Sequence, residues 1–254
     1  AATVPEYRTL MPTFAPLLRG LASSYVARRI EVPHPQPADG PQPPARNMPK
    51  LSRCALVGSE SLLIECGRLL LQRGVEIVAV VSASPAVQRF AAELGCAGYA
   101  DAASLAASDS RPAFDHLFSI THLHVLPDAV LALPTRAAIN FHDGPLPDYG
   151  GLNTPVWALL NGEPRHGITW HLMTREVDRG DILAQRRFDL ADNETALTLN
   201  TRCFEAAIES FEQVARGLVD GTLVPRAQAS APRRLYKRKD RPLAVIEWPR
   251  PAAD

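Results

Sequence analysis

The 254-residue chain sets 27 Lys and Arg against 27 Asp and Glu, with 46% hydrophobic residues, an ordinary globular profile with apolar material for a sizeable core. Zero net charge offers no field for nucleic acid or an anionic membrane, and no stretch has the uninterrupted apolar length of a membrane span. Cys54, Cys66, Cys96 and Cys203 are scattered without a Cys-x-x-Cys pair, which points away from zinc sites and disulfide frameworks and toward a reducing cytoplasm.

Leu17, Leu18, Leu21 and Tyr25 recur at helical spacing behind Pro16, so a short amphipathic helix is expected there. Arg8, Pro12, Pro16 and Arg19 interrupt any secretory apolar run. Val32 to Pro49 is too rich in proline for helix or sheet and reads as an extended linker. Residues 1–48 are therefore expected to form an N-terminal helix and linker ahead of a domain over 49–228, with 229–254 as a tail.

In that domain Cys54 to Gly58 reads as a buried strand, Ser61 to Arg73 as a helix, and Glu76 to Ser82 as a second, β-branched strand. Helices are expected over Pro85 to Leu94 and Ala102 to Ala107, then a strand over His116 to Ile120, a turn at Leu126-Pro127, and a strand running into Asn140. A helix follows over 153–161. Gly167 to Met173 alternates as a strand with Thr169 and His171 on one face, and Val177 to Asp181 is a turn. Ile182 to Phe188 is the next strand, and Asn193-Glu194-Thr195 opens a long helix to about Asp220. This alternation predicts one doubly wound α/β domain, its sheet mostly parallel and mixed in the second half.

The first strand ends in Gly58-Ser59-Glu60-Ser61, with one glycine and an acid where a dinucleotide's phosphates would sit, so NAD and FAD are not expected. Phosphate-loop, nucleophile-elbow and zinc-helix motifs are missing as well. The chemistry concentrates instead in Asn140-Phe141-His142-Asp143-Gly144-Pro145-Leu146-Pro147-Asp148-Tyr149-Gly150-Gly151, which opens at the carboxyl end of a strand, where ligands of α/β sheets bind. One residue separates Asn140 from His142, so in extended backbone both point to one face. An amide and an imidazole side by side can stabilise an oxyanion and move a proton. Pro, Gly, Asp and Asn are also ordinary turn residues, and a lone Asn-x-His is more often structural.

Further signals follow at intervals: Leu146-Pro147-Asp148-Tyr149-Gly150, the strand His166 to His171, and Val177-Asp178-Arg179-Gly180. Together they resemble the formyltransferases that use 10-formyltetrahydrofolate, over about Met48 to Gln228. The resemblance implies a Rossmann-like formyltransferase fold and an enzyme moving a formyl group to a primary amine. It implies that Asn140, His142 and Asp178 are catalytic: Asn140 for the formyl oxyanion, His142 for the proton, and Asp178 for orienting His142 and helping to deprotonate the amine. It places the folate against His122, Leu123, His124, Val125 and Leu126 on one side and Glu176 and Val177 on the other. It gives Gly144, Pro145, Leu146, Tyr149 and Gly150 as the substrate loop and calls for no metal. Ser119 to His124 departs from the small, glycine-containing run common in relatives, and Asp143-Gly144-Pro145 stands after the histidine where many relatives have a Ser and Leu.

Asp143-Gly144-Pro145 is similar to the formylation-type domains of nonribosomal peptide synthetases. Ile246-Glu247-Trp248 is similar to the passage by which the family enters a smaller C-terminal subdomain, so residues 229–254 are expected to begin one, as part of a longer chain. An aminoacyl acceptor in a synthetase-type pathway, with a carrier-held amine as one form, is the leading expectation. Methionyl-tRNA or amino-sugar formylation, hydrolysis of formyl-folate, and a non-catalytic docking domain are the alternatives. The dense basic run Arg233 to Arg241 reads as a solvated segment, His166 as a turn residue, His171 as an orienter of its neighbours, and Trp170, Phe118, Cys66 and Cys203 as core.

Overall fold

A computed structural model describes residues 52–229 and 233–240. The amphipathic stretch at Leu17 to Tyr25, the proline linker and the Ile246-Glu247-Trp248 passage lie outside the described residues.

The chain runs β1 (Arg53–Gly58), α1 (Ser61–Gln72), β2 (Glu76–Val81), α2 (Pro85–Leu94), β3 (Ala97–Tyr99), α3 (Ala102–Ala107), β4 (His116–Ile120), α4 (Asp128–Leu131), β5 (Ala137–His142), β6 (Tyr149–Gly151), α5 (Thr154–Leu160), β7 (Arg165–Leu172), β8 (Ile182–Asp189), α6 (Ala196–Asp220) and β9 (Arg234–Tyr236). Seven strands form one sheet in the order β3-β2-β1-β4-β5-β7-β8. Pairing is parallel from β3 through β5, and antiparallel between β5 and β7 and between β7 and β8. This is the mixed, mostly parallel α/β sheet that the sequence predicts. Winding reverses between β1 and β4, so the loop after β4 opens at the switch in strand order, where α/β sheets leave a crevice.

Side-chain parity divides the core. Leu56, Phe118, Ile139, Phe141, Ile168 and Trp170 meet α1 and α6 on one face through Leu63, Cys66, Cys203 and Phe211. Ala55, Val57, Leu117 and Ala138 meet α3 and α4 on the other through Leu105 and Val130. Since strand side chains alternate, Asn140 and His142 must face the side opposite Ile139 and Phe141. The same parity turns Thr169 and His171 away from Ile168 and Trp170. The site is thereby aimed by the hydrophobic residues between its members. Trp170, Phe118, Cys66 and Cys203 are fully or almost fully buried, as expected of core. The indole Nε1 of Trp170 donates to Ser210 Oγ of α6 at 3.1 Å, and its ring packs 4.7 Å from Phe211.

α6 begins where the sequence places it, on a capping box in which Thr195 and Thr198 satisfy each other's backbone N–H groups, and ends at Gly221 in left-handed backbone. Four local readings are corrected. β5 continues through Asn140 to His142, because its ladder to β7 extends that far. The turn at Leu126-Pro127 leads directly into α4. His166 stands on β7 rather than in a turn, 1% exposed, its Nε2 donating to the Asp143 carbonyl at 2.8 Å. The basic run is not wholly solvated: Arg234–Tyr236 pairs in parallel with Tyr149–Gly151 as a second, two-stranded sheet. Both strands are three residues long and β6 is rich in glycine, so neither carries an alternation that could be read locally.

Candidate active site

Antiparallel register sets Asn140 opposite His171 and His142 opposite Thr169. Across that ladder Asn140 Nδ2 lies 3.2 Å from His171 Nε2. His171 Nδ1 is 2.7 Å from the Leu172 carbonyl, to which it can only donate. In the neutral ring Nε2 is therefore a bare acceptor for one N–H of Asn140. The second N–H of that amide remains for a ligand oxygen.

His142 is 5% exposed, and its Nε2 donates to the Tyr149 carbonyl at 2.8 Å. A carbonyl can only accept, so Nε2 carries a proton, and Nδ1 is the nitrogen that gains or loses one. Nδ1 stands 3.8 Å from Asp178 Oδ2 and 3.9 Å from Asp143 Oδ1. Both separations are too long for a hydrogen bond, but they set two carboxylates against that nitrogen.

Asp178 comes from the turn after β7, in left-handed backbone at φ 53°. Aspartate tolerates that conformation better than most residues. Its Oδ2 accepts the Gly151 N–H at 2.8 Å, and its Oδ1 lies 3.5 Å from His171 Nε2. Burial opposes ionisation, yet the His142 charge, the His171 ring in its protonated form and the Gly151 N–H together hold this carboxyl well below the usual range. Gln228 Nε2 donates to the carbonyls of Asp178 at 3.0 Å and Gly180 at 2.7 Å and so fixes the turn from the far end of the domain.

The predicted substrate loop is a packed shelf under His142. Gly144, Pro145, Leu146, Tyr149 and Gly150 are all buried. Thr169 Oγ1 donates to the Gly144 carbonyl at 2.8 Å and accepts the Leu146 N–H at 3.1 Å. Leu146 is 1% exposed and Tyr149 4%, so their side chains support the site from beneath rather than line an open cleft. A Cβ on Gly144 would stand 2.7 Å from His142 Nε2 and 2.9 Å from the Tyr149 carbonyl, the two ends of the bond that orients the histidine. The Tyr149 hydroxyl donates to Glu163 Oε1 at 2.7 Å and accepts from Arg234 Nη1 at 2.6 Å; its pKa is pushed up to about 12 by burial and by Glu163.

Of the predicted folate contacts, His122 is half-buried, with its pKa lowered by burial, while Leu123, His124 and Val125 are exposed. Glu176 and Val177 are also exposed, and Val177 is bonded through its carbonyl to Arg233. Leu126 differs: its side chain is 3% exposed and packs in the core beside Val130, which leaves only its backbone for a ligand. Asn140, His142 and Asp178 are brought together as expected. His171, read from sequence as an orienter of its neighbours, is joined to them through Asn140 and Asp178, and its signal was the parity it shares with Thr169. Gln228 and Arg233 also reach the turn, but they lie in irregular chain where no local pattern marks them. No helix among the described residues is long and apolar enough to cross a membrane.

Residues 105–215 match the family model described as formyl transferase, a span that includes Asn140, His142, His171 and Asp178. The chain is similar to that family over this span. Its fold is similar to that of a sugar 3N-formyl transferase crystallised with dTDP and 5-N-formyl-THF, at a TM-score of 0.65 and 17% identity over 78% of this chain and 73% of that one. An N-formyltransferase from Helicobacter canadensis, in complex with folinic acid and dTDP-3-aminofucose, matches at TM-score 0.62 and 17% identity over 76% and 73%. Glycinamide ribonucleotide transformylase 1 from Symbiobacterium toebii matches at TM-score 0.63 and 19% identity over 75% of this chain and 99% of that one. The matched span runs from α3 into α6 and so includes β4, β5, β7 and β8 of the seven-stranded sheet described above.

Proposed function

We propose that this domain transfers the formyl group of 10-formyltetrahydrofolate to a primary amine at Asn140, His142 and Asp178. The observation that carries the reading is the convergence of these three side chains, with His142 Nδ1 left facing Asp178 at 3.8 Å once Nε2 is committed to Tyr149. Asn140, steadied by His171, directs its remaining N–H at the formyl oxygen as that atom gains charge, an interaction worth about 10² to 10³ in rate. His142 holds the proton that the departing folate nitrogen needs, and Asp178 orients the imidazole and receives the proton of the incoming amine through water. In net terms a nitrogen–carbon bond to the acceptor forms as the one to the folate breaks, and one proton moves from the first nitrogen to the second. Half-buried His122 and exposed Leu123, His124, Val125, Glu176 and Val177, on loops near the carboxyl ends of the strands that carry the site, are the side chains offered to the folate, with Leu126 contributing backbone alone.

The acceptor is an amine on a small molecule or held by a carrier. Arg233 is buried and Arg234 is engaged with Glu163, which removes two cations from the run that a tRNA phosphate backbone would need. The printed names of similar structures involve an amino sugar and glycinamide ribonucleotide, and an aminoacyl group in a synthetase-type pathway remains the expectation from sequence. The four free cysteines are in keeping with a reducing cytoplasm. The test is turnover of 10-formyltetrahydrofolate followed by mass spectrometry, with no amine, with nucleotide-linked amino sugars, with carrier-loaded aminoacyl groups and with methionyl-tRNA. Formylated amine is the expected product, and folate turnover that ignores every amine would overturn the transferase reading in favour of hydrolysis.

A further inference from the structure

We propose that Arg233 is a positioning residue of this site, whose permanent charge holds Asp178 as the carboxylate that His142 and His171 face. Its side chain is 6% exposed although it lies in the basic tail. Nη2 donates to the carbonyl of Val177 at 2.7 Å and stands 3.9 Å from Asp178 Oδ2. Its guanidinium lies so close over Gly150 that a Cβ there would collide with it. Nε is buried without a hydrogen-bond partner among the described residues. A buried guanidinium left short of partners is costly, and the compensating feature here is the Asp178 carboxylate. Burial lowers the proton affinity of Arg233, and Asp178 offsets this in part. The group stays charged throughout the working pH range.

The charged and titratable groups around Asp178 come from every side of it. His142 faces it from β5, His171 from β7 and Arg233 from the tail, while Glu176 and Arg179 flank Arg233 from the turn itself. Asp143 shares His142. The two histidines can exchange protons during turnover, but a guanidinium cannot. When His142 releases its proton, Arg233 is the cation that remains beside Asp178. The donor to Val177 also ties that role to the turn, so charge and geometry are fixed by one side chain.

The catalytic consequence rests on the formyl-transfer reading, but the electrostatic role is measurable without any substrate. Arg233→Gln keeps an N–H donor for Val177 and removes the charge, whereas Arg233→Lys keeps the charge. Loss of a neighbouring cation raises the pKa of both a carboxyl and an imidazole. In nitrogen-15 NMR titrations of the imidazoles, Arg233→Gln should move His142 and His171 upward by about half a pH unit or more, and Arg233→Lys should restore them. The pH profile of kcat should shift the same way in the glutamine variant, with kcat falling more than KM changes. Unchanged histidine titrations in a folded glutamine variant would overturn the proposal, and so would loss of the fold in both variants, which would make Arg233 structural only. Absence of formyl transfer in the unsubstituted protein would overturn the proposed function and leave the titration result standing.

Discussion

Asp178 Oδ2 lies 3.8 Å from His142 Nδ1, held there by the backbone N–H of Gly151, which donates to the same oxygen at 2.8 Å. The glycine belongs to β6, which pairs with the tail strand β9, and the aspartate belongs to a turn clamped by Gln228 and Arg233. Four segments distant in sequence therefore meet at one carboxylate. The chemistry of β5 depends on contacts that β5 does not itself make.

Asn140→Ala, His142→Ala and Asp178→Ala should each lower kcat by two or more orders of magnitude, about 10² or more, while circular dichroism stays unchanged. The double and triple variants should lose little more than the single ones, because the three groups serve one transition state. Near-normal formyl transfer by His142→Ala would show that the proton comes from elsewhere.

Stability should depend on Asp178 in a particular pH window. The folded carboxyl titrates below the unfolded one, so its contribution is complete above pH about 4 and drains away as pH falls through the lower folded value. The stability gap between the wild type and Asp178→Asn in urea unfolding should then be widest near neutrality and narrow steadily on acidification. A gap independent of pH would mean that the charge of Asp178 contributes nothing to the fold.

Gly144→Ala tests the shelf. The added methyl would press on His142 Nε2, the Tyr149 carbonyl and Thr154 Oγ1, all within 3 Å. Overpacking of this kind costs about 1–3 kcal/mol, and here it also loosens the histidine. Thermal unfolding should fall by a few degrees while kcat falls tenfold or more, about 1.4 kcal/mol of barrier. Equal activity would place the Tyr149 contact outside the mechanism.

Removing residues 1–47 should leave a folded, active domain. The first strand begins at Arg53, and its ladders run to β2 and β4 within the retained part. Cooperative unfolding with an unchanged midpoint is the expected result. Aggregation of the shortened chain would instead assign the apolar face of Leu17, Leu18, Leu21 and Tyr25 to covering the core.

The sequence alone was enough for the sheet, since β1, β2, β4 and β5 are apolar runs whose burial makes them recognisable, and α6 carries its own cap. It was also enough for the alignment of Asn140 with His142, because a period of two is a property of one strand and needs no partner. What tertiary structure decided was everything that depends on two segments meeting. β6 and β9 have three residues each and exist only as a pair, so the tail looked like a solvated run. Arg233 is buried because that pairing folds it over Gly150, which no local charge pattern reports. His171 acquires its role from the register of β7 against β5, and a shift of one residue would have turned it into the core. The resemblance sets Leu126 against a ligand, and only the fold shows that its side chain is packed beside Val130, where burying an isobutyl group is favoured over leaving it in water, so that backbone alone is offered there.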